Sequence, residues 1–232
     1  MPVYQLSEEL IFPPPNLASK EGLLAIGGDL SLSRLLLAYS RGIFPWYSGG
    51  EPILWWSPDP RFVLYPPELR VARSLHKVMK KGSFRVTLDR DFKTVITECA
   101  RVRREKDEGT WIVNDMIGAY CQLHESGFAH SVETWQDGQL AGGLYGVSLG
   151  KIFFGESMFT RISNASKVAL VALVQHLIGL NFTMIDCQVV TAHLGHFGAR
   201  PIPRKRFLQE LNDALQAPTL KGRWRFFDRT VR

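Results

Sequence analysis

The sequence has few cysteines and no long apolar run. Its 232 residues contain three cysteines, Cys99, Cys121 and Cys187, which are widely spaced and odd in number. Neither a disulfide framework nor a CxxC zinc site is therefore indicated. No apolar stretch approaches the roughly 20 residues that span a bilayer, and the first residues lack the basic region of a secretory signal. We therefore expect a cytoplasmic protein with reduced thiols and no membrane segment.

The charge balance is basic. Lys and Arg total 28 against 22 for Asp and Glu, which gives a net charge of +6, while 45% of the residues are hydrophobic. Such a chain can bury a core without metals or disulfides. The cations cluster at positions 70–106 and again at 221–232. A solvated helix face explains such clusters, and so does phosphate binding, because released counterions favour clustered cations on a phosphodiester.

The amino-acid composition and the periodicity of the chain change near residue 65. The first sixty residues are rich in Pro, Gly and Trp, and they predict one helix that begins after Asp29 or Ser31 and stops at Gly42. We expect loops in the rest of this region. Regular periodicity begins at about Pro66, so we predict a small N-terminal domain at 1–63 and a larger domain at 64–232.

The larger domain is predicted to be of the α+β class. Basic and apolar helices precede three strand-like stretches, HSVETW, QLAGGLYGVSLG and KIFFGESMF, and the first two are joined by the turn signal Asp137-Gly138. A long apolar helix at 168–178, a strand at 182–190 and a last helix follow. This order predicts a mixed sheet with helices, similar to the acyltransferases of the GCN5-related N-acetyltransferase superfamily.

Polar side chains interrupt two of the apolar strands. Asp186 and Gln188 lie in the strand at 182–190, and alternation predicts that they share a face while Ile185 and Cys187 point the other way. Glu156 interrupts a neighbouring strand. A buried carboxylate needs a partner. If Asp186 is considered by itself, a structural role in a network of hydrogen bonds is therefore a sufficient explanation for it. Together the three side chains predict a polar pocket, which would suit a cationic ligand.

The sequence gives no support for a metal or a nucleotide cofactor. His193 and His196 lack a fourth ligand at a usual zinc spacing. The Gly-rich segments match neither a P-loop nor a dinucleotide fingerprint. The segment around Gly142 and Gly143 is only a near miss to the pyrophosphate loop of acetyltransferases. We therefore expect no cofactor and no coenzyme A.

Eight segments of unusual sequence occur in the same order as in the leucyl/phenylalanyl-tRNA–protein transferase family. Through them, essentially the whole chain resembles that family. They are GLLAIGGDLS (22–31), RGIFPWY (41–47), PILWWSPDPR (52–61), EGTWI (108–112), GGLYGV (142–147), FFGESMF (153–159), NASK (164–167) and DCQ (186–188). The resemblance implies transfer of Leu or Phe, with Met as a further donor, from aminoacyl-tRNA to an N-terminal Arg or Lys. The modified protein is then marked for degradation by the N-degron pathway.

The resemblance also implies roles for particular residues. The catalytic and acceptor-binding group would be Asp186, Gln188 and Glu156. Trp46 and Trp111 would hold the terminal adenine of the tRNA. The donor site would further contain Tyr39, Leu144, Phe153, Met158, Leu170 and Ile185. The basic residues Arg73, Lys77, Lys80 and Lys81 would contact the tRNA.

Two other functions remain open on the sequence alone. An acetyl-CoA-dependent N-acetyltransferase fits the order of elements but needs a pyrophosphate loop. A non-catalytic RNA-binding module explains the charge and the tryptophans, but it leaves the pocket predicted around Glu156, Asp186 and Gln188 without a purpose.

Overall fold

The computed structural model describes residues 3–105 and 111–226. Two sheets organise the chain. The smaller one has the order β1-β2-β4-β3, and the larger one has the order β11-β5-β10-β9-β8-β7-β6. The mixed α+β architecture predicted from the sequence is confirmed. In the described ranges, no helix has the length and apolar character needed to cross a bilayer.

The N-terminal region contains a sheet that the sequence did not predict. Its elements are β1 (Tyr4–Leu6), β2 (Leu23–Gly27), α1 (Leu32–Ser40), β3 (Phe44–Pro45) and β4 (Leu54–Trp56). The expectation of loops around α1 is wrong, because strands of two to five residues are too short to show alternation. The helix itself is confirmed: Ser31 Oγ caps Arg34 N, and Gly42 ends the turn with a φ of 71°.

The larger unit follows the predicted order closely. Its strands are β5 (Arg61–Leu64), β6 (Arg85–Leu88), β7 (Ala129–Gln136), β8 (Gln139–Leu149), β9 (Ile152–Thr160), β10 (Met184–Gln188) and β11 (Arg200–Ile202). Its helices are α2 (Arg73–Lys80), α3 (Phe92–Glu105), α4 (Asn114–Glu125), α5 (Ala165–Gly179), α6 (Ala192–His196) and α7 (Arg204–Leu215). Asp137 and Gly138 both have positive φ, as the predicted hairpin turn requires. The boundary at 63/64 stays a prediction, although β5 already belongs to the large sheet.

The large sheet is covered on both faces. One core joins the N-terminal elements to α3, α4 and α7, and it contains Phe44, Tyr120 and Phe207. The other core lies under α2 and α5 and contains Phe153 and Leu170. Helix α5 is apolar all round, which agrees with a helix buried along most of its length.

Two irregularities interrupt the strands in the middle of this sheet. Between β8 and β9 the register shifts so that Glu156 is an additional residue without a partner. Between β10 and β5 it shifts at Cys187, and Gln188 adopts a φ of 63°. The parallel pairing of β9 with β10 runs only as far as Phe154 and Asp186. Bulges re-aim side chains, and here they create an opening in the sheet.

Candidate active site

A pocket of about 370 Å³ lies where the paired part of β9 and β10 ends, under α5. Seven of the eight residues predicted to bind the donor line it, together with Glu156 and Gln188: Trp46, Trp111, Leu144, Phe153, Met158, Leu170 and Ile185. The inner wall is mainly apolar, and its Phe153 side chain is fully buried. Trp46, with 42% of its surface exposed, marks the mouth. The pocket therefore combines an aromatic entrance with an apolar interior, as ligand sites do.

Glu156 is held by a buried network of hydroxyls and an amide. Tyr39 Oη and Gln188 Nε2 donate hydrogen bonds to its Oε1 at 2.8 and 2.9 Å, and Tyr120 Oη donates to Oε2 at 3.1 Å. The two tyrosine hydroxyls also lie within hydrogen-bond distance of each other, and because each has a single proton, the tyrosines can donate at most two of these three O–H···O contacts at one time. Burial raises the pKa of Glu156 to about 7, although the three hydrogen bonds to its carboxylate oppose the shift. The carboxyl group therefore titrates near neutral pH.

Gln188 points its amide nitrogen at that carboxylate. Because Nε2 donates to Glu156, the amide oxygen is directed elsewhere in the pocket, which Gln188 lines. No described residue donates a hydrogen bond to this oxygen. The backbone N–H of Gln188 donates to Asp186 Oδ1 at 2.9 Å, which ties down the left-handed backbone at this position. The arrangement fixes one orientation of the amide.

Asp186 lies behind the pocket and pairs with Arg61. Both side chains are fully buried, and Arg61 Nε and Nη2 donate to Asp186 Oδ1 and Oδ2 at 2.8 and 2.6 Å. The guanidinium lies between the rings of Phe44 and Phe207 at 4.8 and 4.6 Å from their centroids. This pair balances the two charges, although Arg61 Nη1 is buried without a hydrogen-bond partner among the described residues, and removing either ion leaves the other uncompensated.

The predicted faces of strand β10 are wrong. Asp186 points toward Arg61, whereas Ile185, Cys187 and Gln188 all line the pocket. Strict alternation fails because the additional residue Cys187 and the positive φ at Gln188 turn the Gln188 side chain through the bulge. Cys187 is consequently a pocket residue, and burial raises the pKa of its thiol far above the usual range.

Tyr39 does not line the pocket, in contrast to the seven other residues that are predicted to bind the aminoacyl-tRNA. It is fully buried and acts on the site from behind, through its hydrogen bond to Glu156. Burial also raises the pKa of Tyr39 well above its usual value, with the nearby Glu156 and Tyr120 contributing. The Tyr39 hydroxyl therefore keeps its proton and can donate a hydrogen bond to Glu156.

The predicted basic residues form an exposed row on and next to α2. Arg73, Lys77, Lys80 and Lys81 are all exposed. Within residues 3–105 and 111–226, none of the four has an acidic partner within 4 Å. The helix packs on α5 through the core that contains Leu75, so the row lies on the pocket's side of the sheet. Lys106, Arg229 and Arg232, which belong to the same basic clusters, lie outside the described residues.

Among the site residues that were missed from the sequence are Arg61, Tyr120 and His193. Arg61 is a buried cation in an apolar strand, and the argument used for Asp186 would have found it. Tyr120 looked like an ordinary core position of α4, since nothing local marks its hydroxyl as a partner of Glu156. His193 lines the pocket from α6, and its Nε2 is buried without a partner among the described residues.

The fold resembles solved structures only distantly. An aminoglycoside acetyltransferase from an uncultured soil metagenomic sample matches with a TM-score of 0.39 and 10% identity, covering 65% of this chain and 98% of that one. The structure of L-PGS from Bacillus licheniformis matches with a TM-score of 0.37 and 10% identity, covering 73% of this chain and 54% of that one. These likenesses concern the fold alone.

Sequence relatives are much closer. The family models for leucyl/phenylalanyl-tRNA protein transferase and for its N-terminal domain match residues 63–212 and 28–59. A leucyl/phenylalanyl-tRNA–protein transferase of Syntrophobacter fumaroxidans is 62% identical over 208 residues, covering 90% of this chain and 89% of the relative. Its counterpart in Myxococcus xanthus is 57% identical over 226 residues and covers 97% of both chains. The resemblance seen in the sequence is thereby confirmed, and the chain belongs to the leucyl/phenylalanyl-tRNA–protein transferase family of aminoacyltransferases.

Proposed function

We propose that the pocket binds the aminoacyl end of a charged tRNA and transfers its Leu or Phe to the N-terminal Arg or Lys of a protein. One observation carries the proposal: an apolar pocket, with the exposed Trp46 and the half-buried Trp111 in its lining, holds a single oriented amide at Gln188. Family membership supplies the donor and the acceptor class. The product would be marked for degradation by the N-degron pathway.

The donor has two parts that suit the two parts of the pocket. A Leu or Phe side chain would enter the apolar interior formed by residues such as Leu144, Phe153 and Ile185. The terminal adenine would stack at the mouth on Trp46 or Trp111, a contact worth ~1–3 kcal/mol per base. The ester carbonyl between these parts would then lie beside Gln188.

The reaction is the aminolysis of an ester. The acceptor's α-amine attacks the carbonyl carbon, the bond from that carbon to the ribose oxygen breaks, and a peptide bond forms. The ribose oxygen leaves with a proton that originates from the amine. An α-amine has a pKa of ~7.7–8, so an appreciable fraction is already neutral near pH 7. Positioning can therefore supply most of the acceleration, up to ~7–11 kcal/mol.

Gln188 is proposed as the catalytic residue that orients the amine. Its Oε1 is the acceptor end of the amide, so it can accept a hydrogen bond from the attacking N–H. Asp186 positions Gln188 through the backbone, and Glu156 positions it through the side chain. Glu156 also lines the pocket, and its ionised form would attract the cationic acceptor residue.

The exposed row on α2 is proposed to contact tRNA phosphates. Arg73, Lys77, Lys80 and Lys81 have no competing ion pairs within the described ranges, so their charges remain available to RNA. Because charged tRNA is the substrate of protein synthesis, we place the reaction in the cytoplasm. The proposed chemistry requires no cofactor.

A transfer assay with three donors tests the proposal. The protein is incubated with an Arg-starting peptide and either Leu-tRNA, Phe-tRNA or acetyl-CoA, and the peptide mass is recorded. We expect the mass of one Leu or one Phe to be added at the α-amine and no acetylation. Acetylation would support the N-acetyltransferase alternative. RNA binding without any transfer would support the RNA-binding module.

A further inference from the structure

The segment at 219–226, here called the C-terminal strap, lies against the back of the pocket wall. Thr219 Oγ1 accepts the N–H of Gly150, and Gly222 N donates to Gly127 O at 3.2 Å. Gly127 also approaches the strap so closely that a Cβ there would lie 2.3 Å from Gly222 N. These contacts attach the strap to the turns at the end of the sheet that is remote from the pocket mouth.

Trp224 is the anchor of this strap. It is 6% exposed, and its backbone N–H donates to Asp89 Oδ2 at 2.7 Å. The same carboxylate oxygen accepts a hydrogen bond from Nδ1 of His130 at 2.8 Å. The His130 ring also stacks on the indole of Trp224, with 3.7 Å between the ring centroids. Burial lowers the pKa of His130, which keeps the ring neutral and suited to stacking. Trp224 is therefore held from two directions.

The indole lies directly behind Phe153. Their ring centroids are 6.0 Å apart, and Phe153 lines the pocket whereas Trp224 does not. On another side, the tip of the Phe153 ring lies over Gly146, where a Cβ would come within 2.6 Å of it. The ring is thus confined by a glycine and by the indole, so its position in the pocket depends on both.

Trp224 also supports the helix that forms another wall of the pocket. Its ring is 5.3 Å from that of His176 on α5, one turn beyond the pocket residue Leu173. Phe182, just before β10, closes the cluster at 5.8 Å. Close packing leaves no spare space in such a cluster, so a change in indole volume must be taken up by its neighbours.

We infer that Trp224 is a positioning residue that sets the depth of the donor side-chain pocket by limiting the withdrawal of Phe153. The inference rests on the proposed binding of the donor side chain in this pocket. Shortening the side chain at 224 leaves a space behind Phe153, which the ring can occupy. The pocket then becomes deeper, which favours Phe over the shorter Leu.

The test compares Leu-tRNA with Phe-tRNA as donors for wild type and Trp224→Leu, with Trp135→Leu as the matched control. Trp135 is a half-buried tryptophan of β7 that donates to Thr87 Oγ1 and does not line the pocket. The readout is the ratio of kcat/KM for the two donors, which does not depend on the fraction of folded enzyme. We expect the Phe/Leu ratio to rise about tenfold in Trp224→Leu, since a volume change of one methylene group in a hydrophobic pocket is worth about tenfold or more. The control should keep the wild-type ratio.

A Phe/Leu ratio in Trp224→Leu within twofold of wild type would overturn the inference. If that variant yields no folded protein, Trp224→Phe decides the matter, because it keeps an aromatic ring on His130 and removes less volume. We expect a smaller rise in the same direction, and an unchanged ratio overturns the inference there too. A wild-type protein that transfers neither amino acid would instead contradict the proposed function.

Discussion

Asp186 contacts Gln188 through the peptide backbone, and the two side chains point to different places. Asp186 Oδ1 accepts the Gln188 N–H at 2.9 Å, while the Gln188 amide donates to Glu156 at 2.9 Å. Both carboxylate oxygens of Asp186 also accept hydrogen bonds from Arg61. Asp186 therefore fixes the unusual φ of Gln188, and the backbone conformation in turn determines where the amide lies.

Replacing Asp186 with Asn should lower both the free energy of unfolding and the transfer rate. Asn retains the volume but leaves the buried Arg61 without a counter-ion, and breaking a buried pair costs about 3–5 kcal/mol. Urea unfolding measures the first effect, and the single-turnover rate per folded molecule measures the second. The exposed pair of Glu68 with Arg200 provides a control, because Glu68→Gln should cost about 1 kcal/mol or less. Wild-type stability in Asp186→Asn would contradict the importance of the Arg61 pair.

Glu156 should make the protein less stable as the pH rises toward 7. Burial raises its pKa from 4.5 to about 7. Below pH 4.5 the group is protonated in both states, and between these values the unfolded chain loses its proton first, so folding stability declines. Relative to Glu156→Gln, the wild-type free energy of unfolding should fall by about 3 kcal/mol across this window. Urea unfolding at several pH values measures the difference, and a pH-independent difference would refute the buried carboxyl's role.

Replacing Trp111 with Ala should weaken the binding of charged tRNA and of a short aminoacyl-adenosine analogue by similar factors. Both ligands present the same adenine, and one lost stacking contact costs ~1–3 kcal/mol. Fluorescence titration with each ligand measures the effect, and Trp135→Ala serves as the control with wild-type affinity expected. A loss confined to the tRNA would argue against stacking at this residue.

The exposed row on α2 should make tRNA binding depend on salt. Neutralising Arg73, Lys77 and Lys80 together should reduce the slope of log affinity against log salt by about 2–3, since each phosphate contact contributes ~0.7–0.9. The affinities are measured by filter binding at several salt concentrations. The control neutralises three exposed cations that lie outside the pocket, Lys20, Lys205 and Arg206, the last of which is paired with Glu210. An equal loss of slope in both variants would show general rather than local attraction.

Much of the fold could be predicted because its signals are local. Ser31 caps α1, and Asp137-Gly138 forms the predicted hairpin turn, since both depend only on neighbouring residues. The strands around α1 escaped prediction because they are short, and because β2 pairs with both β1 and β4, as far away as residue 56. Such long-range pairing leaves no periodic pattern in the chain.

The composition of the site could be predicted, but its geometry could not. Glu156, Asp186 and Gln188 were conspicuous as polar residues in apolar strands. Their orientations depend on two bulges, and a bulge shifts side chains to the opposite face without any change of residue type. The prediction that Cys187 faces away from Gln188 is wrong for this reason. Because Cys187 lines the pocket, we expect Cys187→Ala to alter the affinity for the aminoacyl-tRNA. This variant therefore cannot serve as a control that keeps wild-type behaviour.

The most direct test of the account is the single-turnover rate of Leu transfer by Gln188→Ala at saturating Leu-tRNA. Gln188 is proposed to orient the attacking amine, and the loss of one positioned hydrogen-bonding group typically costs about 10²–10³ in rate. Cys121→Ala, a half-buried thiol on α4 that does not line the pocket, is the control. We expect Gln188→Ala to lose about 100-fold in rate with a much smaller change in the Kd for Leu-tRNA, while Cys121→Ala matches wild type. A Gln188→Ala rate within about twofold of wild type would contradict the assignment of the reaction to this residue.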